Sequence, residues 1–158
     1  MKSLGLNLTI AVMWLLLRAE PSVSAFLIGW LVGFVLLAIF RSVLGSDNYV
    51  RRVLAFGRFM VLFGAEFLLA NFKVAWAVLA RARTSFRPDF VPYDTSDLKP
   101  GEILLLSYCV SLTPGTTTVE IAPDFKTLTV HALDADCPDE LRAQIDRTLK
   151  RTIPAFTR

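Results

Sequence analysis

The sequence predicts a membrane protein in two parts. The first is an N-terminal helical membrane region, built from a hairpin and a third tilted or interfacial helix. The second is a small α+β domain of three strands and one helix. Three observations lead there. Hydrophobic residues make up 54% of 158 and mean hydropathy is +0.51, where a soluble domain has about 45–50% apolar residues. The excess lies almost wholly before residue 81. Beyond it, the chain is punctuated by Pro and Gly and changes to short, alternating apolar runs.

Ser3–Leu17 carries no charge, but at 1.5 Å per residue it spans only about 22 Å against a hydrocarbon core of about 30 Å. Lys2 and Arg18 flank it and can reach opposite interfaces. Ser22–Phe40 is a second uncharged run, separated from the first by Arg18-Ala19-Glu20-Pro21. So short a link joins two antiparallel helices, with spans expected at about 3–18 and 22–40. A cleaved secretory leader is the rival reading, with Lys2 as its basic start and Val23-Ser24-Ala25 as its cleavage site. Arg18, Glu20 and the immediate second span favour the hairpin.

Ala25, Gly29 and Gly33 recur every four residues along the second span. Small residues at that spacing let another helix approach closely. They are therefore candidate contacts for a sister subunit.

Arg41–Arg52 is a polar break, and a third apolar stretch runs over about 52–81. Arg58, Glu66, Asn71 and Lys73 interrupt it. Arg51, Arg58, Glu66, Lys73 and Arg81 fall within an arc of roughly 140° on a helix. Arg58, Glu66 and Lys73 are accordingly a candidate membrane polar stripe. Both flanks of this stretch are basic, and basic flanks favour the cytoplasm. A helix lying along the cytoplasmic surface satisfies both, whereas hydropathy alone counts a third span. An ionisable group at membrane depth is a functional candidate, so Glu66 has a sharp reading as a proton carrier. The plainer reading makes the stripe structural, because no second acidic group accompanies it.

The helical membrane region thus covers 1–87, a polar connector 88–101, and the α+β domain 102–158. Ile103–Leu112 is read as a buried strand bounded by Pro-Gly on both sides. Thr117–Ala122 and Thr127–Leu133 alternate and give the second and third strands, joined by a turn at Pro123-Asp124-Phe125-Lys126. A helix follows, with Asp136 as its cap, Pro138 in its first turn, and Leu141, Ile145, Leu149 and Ile153 as its apolar stripe. Pro154 is expected to end it.

Composition excludes several function classes. A net charge of +3 is too mild for nucleic acid. Cys109 and Cys137 form no CxxC pair, and His131 is the only histidine. No metal site, cofactor loop or nucleophile–His–acid set is therefore expected. Leu112-Thr113-Pro114-Gly115-Thr116 is the most distinctive polar motif. Pro114 fixes φ and Gly115 permits a positive φ, which reads as a specialised turn. Thr113, Pro114, Gly115 and Thr116 are the second set of candidate contacts for a sister subunit.

With Ser111 in front of it and the strand Val130-His131-Ala132-Leu133-Asp134 behind, that turn resembles the MnhE/MrpE family, the small E-type component of the multisubunit Mrp (also Mnh, Sha or Pha) monovalent cation/proton antiporters. Asn7, Trp14, Phe26, Gly29 and Gly33 extend the resemblance, which runs from Asn7 to Asp134. It implies an accessory or assembly component of a sodium/proton antiporter that supports cation efflux and pH homeostasis, not an enzyme. It implies sister subunits and the lipid bilayer as partners. The implied location is the bacterial cytoplasmic membrane, multi-pass, with the C-terminal domain in the cytoplasm. The alternative is a stand-alone membrane-anchored adaptor whose domain recruits a soluble partner.

Overall fold

The computed structural model describes residues 2–80, 87–135 and 137–158. The chain divides into two compact units, Met1–Leu54 and Ala55–Arg158. The boundary falls inside one long helix.

The first unit is built on α1 (Lys2–Leu16) and α2 (Val23–Ile39). Ser22 starts α2 as its N-cap, its hydroxyl accepting from Ala25 N–H at 3.2 Å. The helices run antiparallel: Gly29 lies against Ala11 and Trp14, and Gly33 against Asn7 and Ile10. Phe40 closes α2, and a single helical turn, α3 (Arg41–Leu44), follows. Gly45 leaves it at φ +60°, a conformation that glycine adopts without strain. Buried Ser46 donates to Leu37 C=O at 2.8 Å, tying this corner to α2. A fourth helix, α4 (Asp47–Ala80), starts at once. The expected polar break is therefore much shorter than Arg41–Arg52, because charged residues from Asp47 onward form the exposed first turns of α4. At 34 residues and 1.5 Å each, α4 is about 51 Å long.

In the second unit, α4 from Ala55 onward packs on an α+β domain. Three strands, β1 (Asp89–Asp94), β2 (Thr116–Ile121) and β3 (Thr127–Ala132), form an antiparallel sheet in the order β1-β3-β2. β1 pairs Val91 with Val130 and Tyr93 with Leu128. β2 pairs Thr118 with Val130 and carries a bulge between Thr118 and Glu120. Helices α5 (Pro100–Leu112), α6 (Pro138–Ile145) and α7 (Ile153–Thr157) complete the layer. Ile103, Leu106 and Val110 from α5 meet Leu128 and Val130 from β3 and Ile145, Leu149 and Ile153 from the C-terminal helices in one core. Phe59 of α4 enters that core, stacks on Phe63 with ring centroids 5.8 Å apart, and meets Phe156 at 5.1 Å.

Three expectations are corrected. Ile103–Leu112 is helix, not strand. Pro100 occupies its first turn, Glu102 reaches back to accept from Lys99 N–H at 2.9 Å, and Gly115 follows its end. Pro just inside the start and Gly just past the end is the signature of a helix. The run looked uniformly apolar because Leu104, Tyr108 and Leu112 stay exposed on the outer face. The strand assigned to this run is instead β1, inside the expected connector. Its alternation is clear, with Val91 and Tyr93 buried and Phe90, Pro92 and Asp94 exposed. Pro92 is tolerated because β1 is an edge strand. Finally, the C-terminal stripe is not one helix. α6 passes into a π-helical turn at Asp146–Lys150, and Pro154 sits in the first turn of α7 instead of ending a helix. Cys137 is the N-cap of α6, while the expected cap Asp136 lies outside the described residues.

Side chains engage some of the outward backbone groups at both sheet edges. Along β1, Asp89 accepts from Phe90 N–H at 2.7 Å, Arg142 donates to Pro92 C=O at 3.2 Å, and Lys150 donates to Asp94 C=O at 2.8 Å. Along β2, Thr118 N–H is taken by the Ser111 hydroxyl of α5 at 3.1 Å.

Candidate functional site

The Thr113–Thr116 turn is held by its own side chains. Thr113 Oγ1 donates to Cys109 C=O at 2.9 Å, and Thr116 Oγ1 donates to Val110 C=O at 2.9 Å. Both carbonyls belong to the last turn of α5, where backbone acceptors otherwise lack partners. Gly115 adopts φ +92°, and its C=O accepts from Leu133 N–H at 2.8 Å. A Cβ there would stand 3.3 Å from Val74 Cγ2 of α4. The turn thus closes α5, opens β2 and presents its glycine to α4.

Along that same stretch of α4 runs a groove of about 390 Å³. From Phe63 to Ala77 it follows the helix for about 21 Å. Thr113–Thr116 forms part of the far wall, with Gln144, Ile145 and Thr148 beside it. Glu66 lines the groove and accepts a hydrogen bond from Gln144 Nε2. Lys73 lies two turns further on, lining the groove while remaining exposed. Two sets of sequence candidates therefore converge, Glu66 and Lys73 with the Thr113–Thr116 turn. Arg58 is exposed and does not line the groove, and Arg81 lies outside the described residues. Glu66 thus faces the folded α+β domain.

The small face of α2 has a different use from the one expected. Ala25, Gly29 and Gly33 are buried within the chain. A Cβ at Gly29 would stand 2.7 Å from Trp14 Cβ and 3.0 Å from Ala11 C=O, and one at Gly33 would overlap Asn7 Oδ1. The close approach is the hairpin's own, which removes these residues as a free face for a sister subunit. Buried Asn7 donates to Tyr49 OH at 2.7 Å, linking α1 to the start of α4.

Sequence reasoning missed Gln144, because a lone Gln on a polar-looking helix face carries no signal. It also missed the Glu102 cluster. Buried Glu102 accepts from Arg158 Nη2 at 2.7 Å, Arg158 Nε at 3.0 Å and Thr157 Oγ1 at 2.7 Å. Hydrogen bonding from Arg158 holds its carboxyl down at about 2. Tyr93 donates to Asp146, and burial together with that carboxylate pushes its phenol well above the ordinary range. Cys109 and Cys137 are both free, and burial pushes the Cys109 thiol up to about 11. His131 lies against Phe90, with ring centroids 5.1 Å apart. Among the described residues no three His, Cys, Asp or Glu side chains gather as a metal site.

An apolar helical N-terminal unit, one described helix (Asp47–Leu79) long and apolar enough by length and composition to cross a membrane, and a helix-backed sheet define a helical apolar region joined to a small α+β domain. Residues 7–155 match the MNHE family, described as "Na+/H+ ion antiporter subunit". The chain belongs to that family, the E-type components of multisubunit Na+/H+ antiporters. It is 34% identical over 153 residues to the E-type Na(+)/H(+) antiporter component of Alkalihalophilus pseudofirmus, covering 97% of this chain and 96% of that one. A chain in the membrane-bound sulfane sulfur reductase, an archaeal respiratory membrane complex, shares the fold at TM-score 0.55 and 20% identity, covering 96% of this chain and 98% of the other. A chain of the Mrp complex from Dietzia sp. DQ12-45-1b is 26% identical, with TM-score 0.48, covering 63% of this chain and 94% of its own. The protein is thus a membrane-located component whose partners are other subunits of a multisubunit complex.

Proposed function

We propose that this protein organises and supports a monovalent cation/proton antiporter without an ion-translocating centre of its own. Its α1–α2 hairpin is multi-pass in the bilayer, α4 lies along the cytoplasmic surface, and the α+β domain sits in the cytoplasm. The observation that carries this reading is the setting of Glu66. It is the only acid in the apolar stretch 53–80, and its carboxylate is engaged by Gln144 in the α+β domain. An ion carrier in lipid needs an acid open to a path and a partner to relay to; this one is tied into a packing face of the protein. The length of α4, about 51 Å against a hydrocarbon core of about 30 Å, also fits a helix along the surface better than one across it.

The test is reconstitution. Purified alone in liposomes, the chain should exchange no sodium for protons. The whole complex carrying Glu66→Gln should keep exchange within about twofold of wild type, since a neutral amide oxygen still accepts from Gln144. Exchange by the isolated chain, or abolished exchange in a normally assembled Glu66→Gln complex, would overturn the accessory role.

A further inference from the structure

We propose that the groove between α4 and the α+β domain holds one glycerophospholipid, with an acyl chain along α4 and the phosphodiester at Lys73. This rests on the reading of α4 as a helix at the membrane surface.

The groove follows α4 from Phe63 to Ala77, and Phe63, Ala70, Val74, Ala77, Ile145 and Leu149 give it apolar walls. The polar side chains that line it, Lys73 apart, are engaged, Asp134 among them. Glu66 is bonded to Gln144. Thr148 Oγ1 donates to Gln144 C=O at 2.6 Å. Thr113 and Thr116 are spent on the carbonyls of α5. A peptide laid in the groove would bring backbone donors and acceptors and would find these side chains already engaged, a desolvation cost. An acyl chain brings none. At the mouth stand Lys73 and Trp76, the latter 72% exposed. An ammonium and an indole are the pair that headgroup-level membrane attracts, and the ammonium is a point-charge partner for phosphate. Exposed Leu69, Phe72 and Leu79 continue the apolar surface from that mouth around α4. A lipid tail can therefore enter the groove from the bilayer side without crossing water.

The experiment uses the full chain in nanodiscs of phosphatidylethanolamine and phosphatidylglycerol, extracted into mild detergent and weighed by native mass spectrometry. Wild type should retain one phospholipid per chain after washing. Ala77→Leu, which fills the groove, and Lys73→Glu, which reverses the charge at the mouth, should each reduce that occupancy at least tenfold with unchanged circular dichroism. If Ala77→Leu unfolds, the exposed Lys73 position decides. Unchanged retention in the variants, or none in wild type, overturns the proposal. A photo-crosslinker at Ala77 in the assembled complex should capture lipid; capture of a peptide from a sister subunit overturns it as well. Nitroxides at Val61 and Leu68 report separately on α4. Lipid exposure there with an empty groove refutes only the lipid site. A lipid-filled groove with Val61 and Leu68 in water refutes only the surface placement of α4.

Discussion

Gly33 of α2 lies directly against the carboxamide oxygen of Asn7 on α1, with no room for a methyl group between them. Close approach at small residues is how apolar helices pack when burial alone gains little, and this contact, with that of Gly29 on Trp14, helps hold the hairpin. Gly33→Leu should destabilise the isolated chain by about 1–3 kcal/mol through overpacking. Thermal unfolding in detergent measures it. A variant as stable as wild type, yet unable to assemble, would return the glycine face to a sister subunit.

Gly115→Ala should cost about 1–2 kcal/mol, because an L side chain is strained at φ +92°. The added methyl would also press on Val74 Cγ2 at 3.3 Å. Val74→Ala in the same background should recover only the steric part. Full recovery in the double variant, measured by chemical unfolding, would show that the backbone conformation is not the cause.

Glu102 gives the α+β domain an acid limit. Its carboxyl is lowered from 4.5 to about 2 in the folded chain, chiefly by the hydrogen bond from Arg158. A lowered folded value means stability that is complete above the unfolded value and lost as pH falls toward the folded one. The thermal midpoint should therefore decline between about pH 5 and pH 2. Glu102→Gln should start lower at neutral pH, by about 1.5–3 kcal/mol for lost charge-assisted hydrogen bonds, and decline less. Parallel profiles for the two proteins would remove Glu102 from the acid response.

Cysteine accessibility decides the placement of α4. With Cys137 replaced by Ser and Cys109 buried, single cysteines at Asn48 and Ser96, both exposed, should react with an impermeant reagent from the same, cytoplasmic side. Reaction from opposite sides would make α4 a crossing helix.

Much of the first unit was legible in the sequence. Uncharged apolar runs, a four-residue link and Ser22 before an apolar stretch carry their own physics, and the helices α1 and α2 start and stop within a residue or two of the expected runs. The partner of the glycine face was not legible, since periodicity marks a close contact without naming its other side. In the domain, β3 was readable from alternation because Leu128, Val130 and Ala132 are all buried; in β2 the alternation put Val119 and Ile121 on one face, but the bulge between Thr118 and Glu120 leaves Val119 exposed. α5 was not readable, because its apolar outer stripe of Leu104, Tyr108 and Leu112 erased the helical period. β1 was hidden by Pro92, whose missing donor costs nothing on an edge. At the candidate site, the Thr113–Thr116 turn and Glu66 were each visible as unusual. Their convergence on one groove depends on contacts such as Glu66–Gln144, 78 residues apart, which no local pattern encodes.

The guarded rims of the small sheet have a consequence for the life of the protein before assembly. Asp89, Arg142 and Lys150 engage three backbone groups of β1, and Ser111 engages one of β2. Open rims are what let small sheets zip into polymers. Each outward group engaged in this way is one fewer that a neighbouring copy's strand can pair with before the complex is assembled.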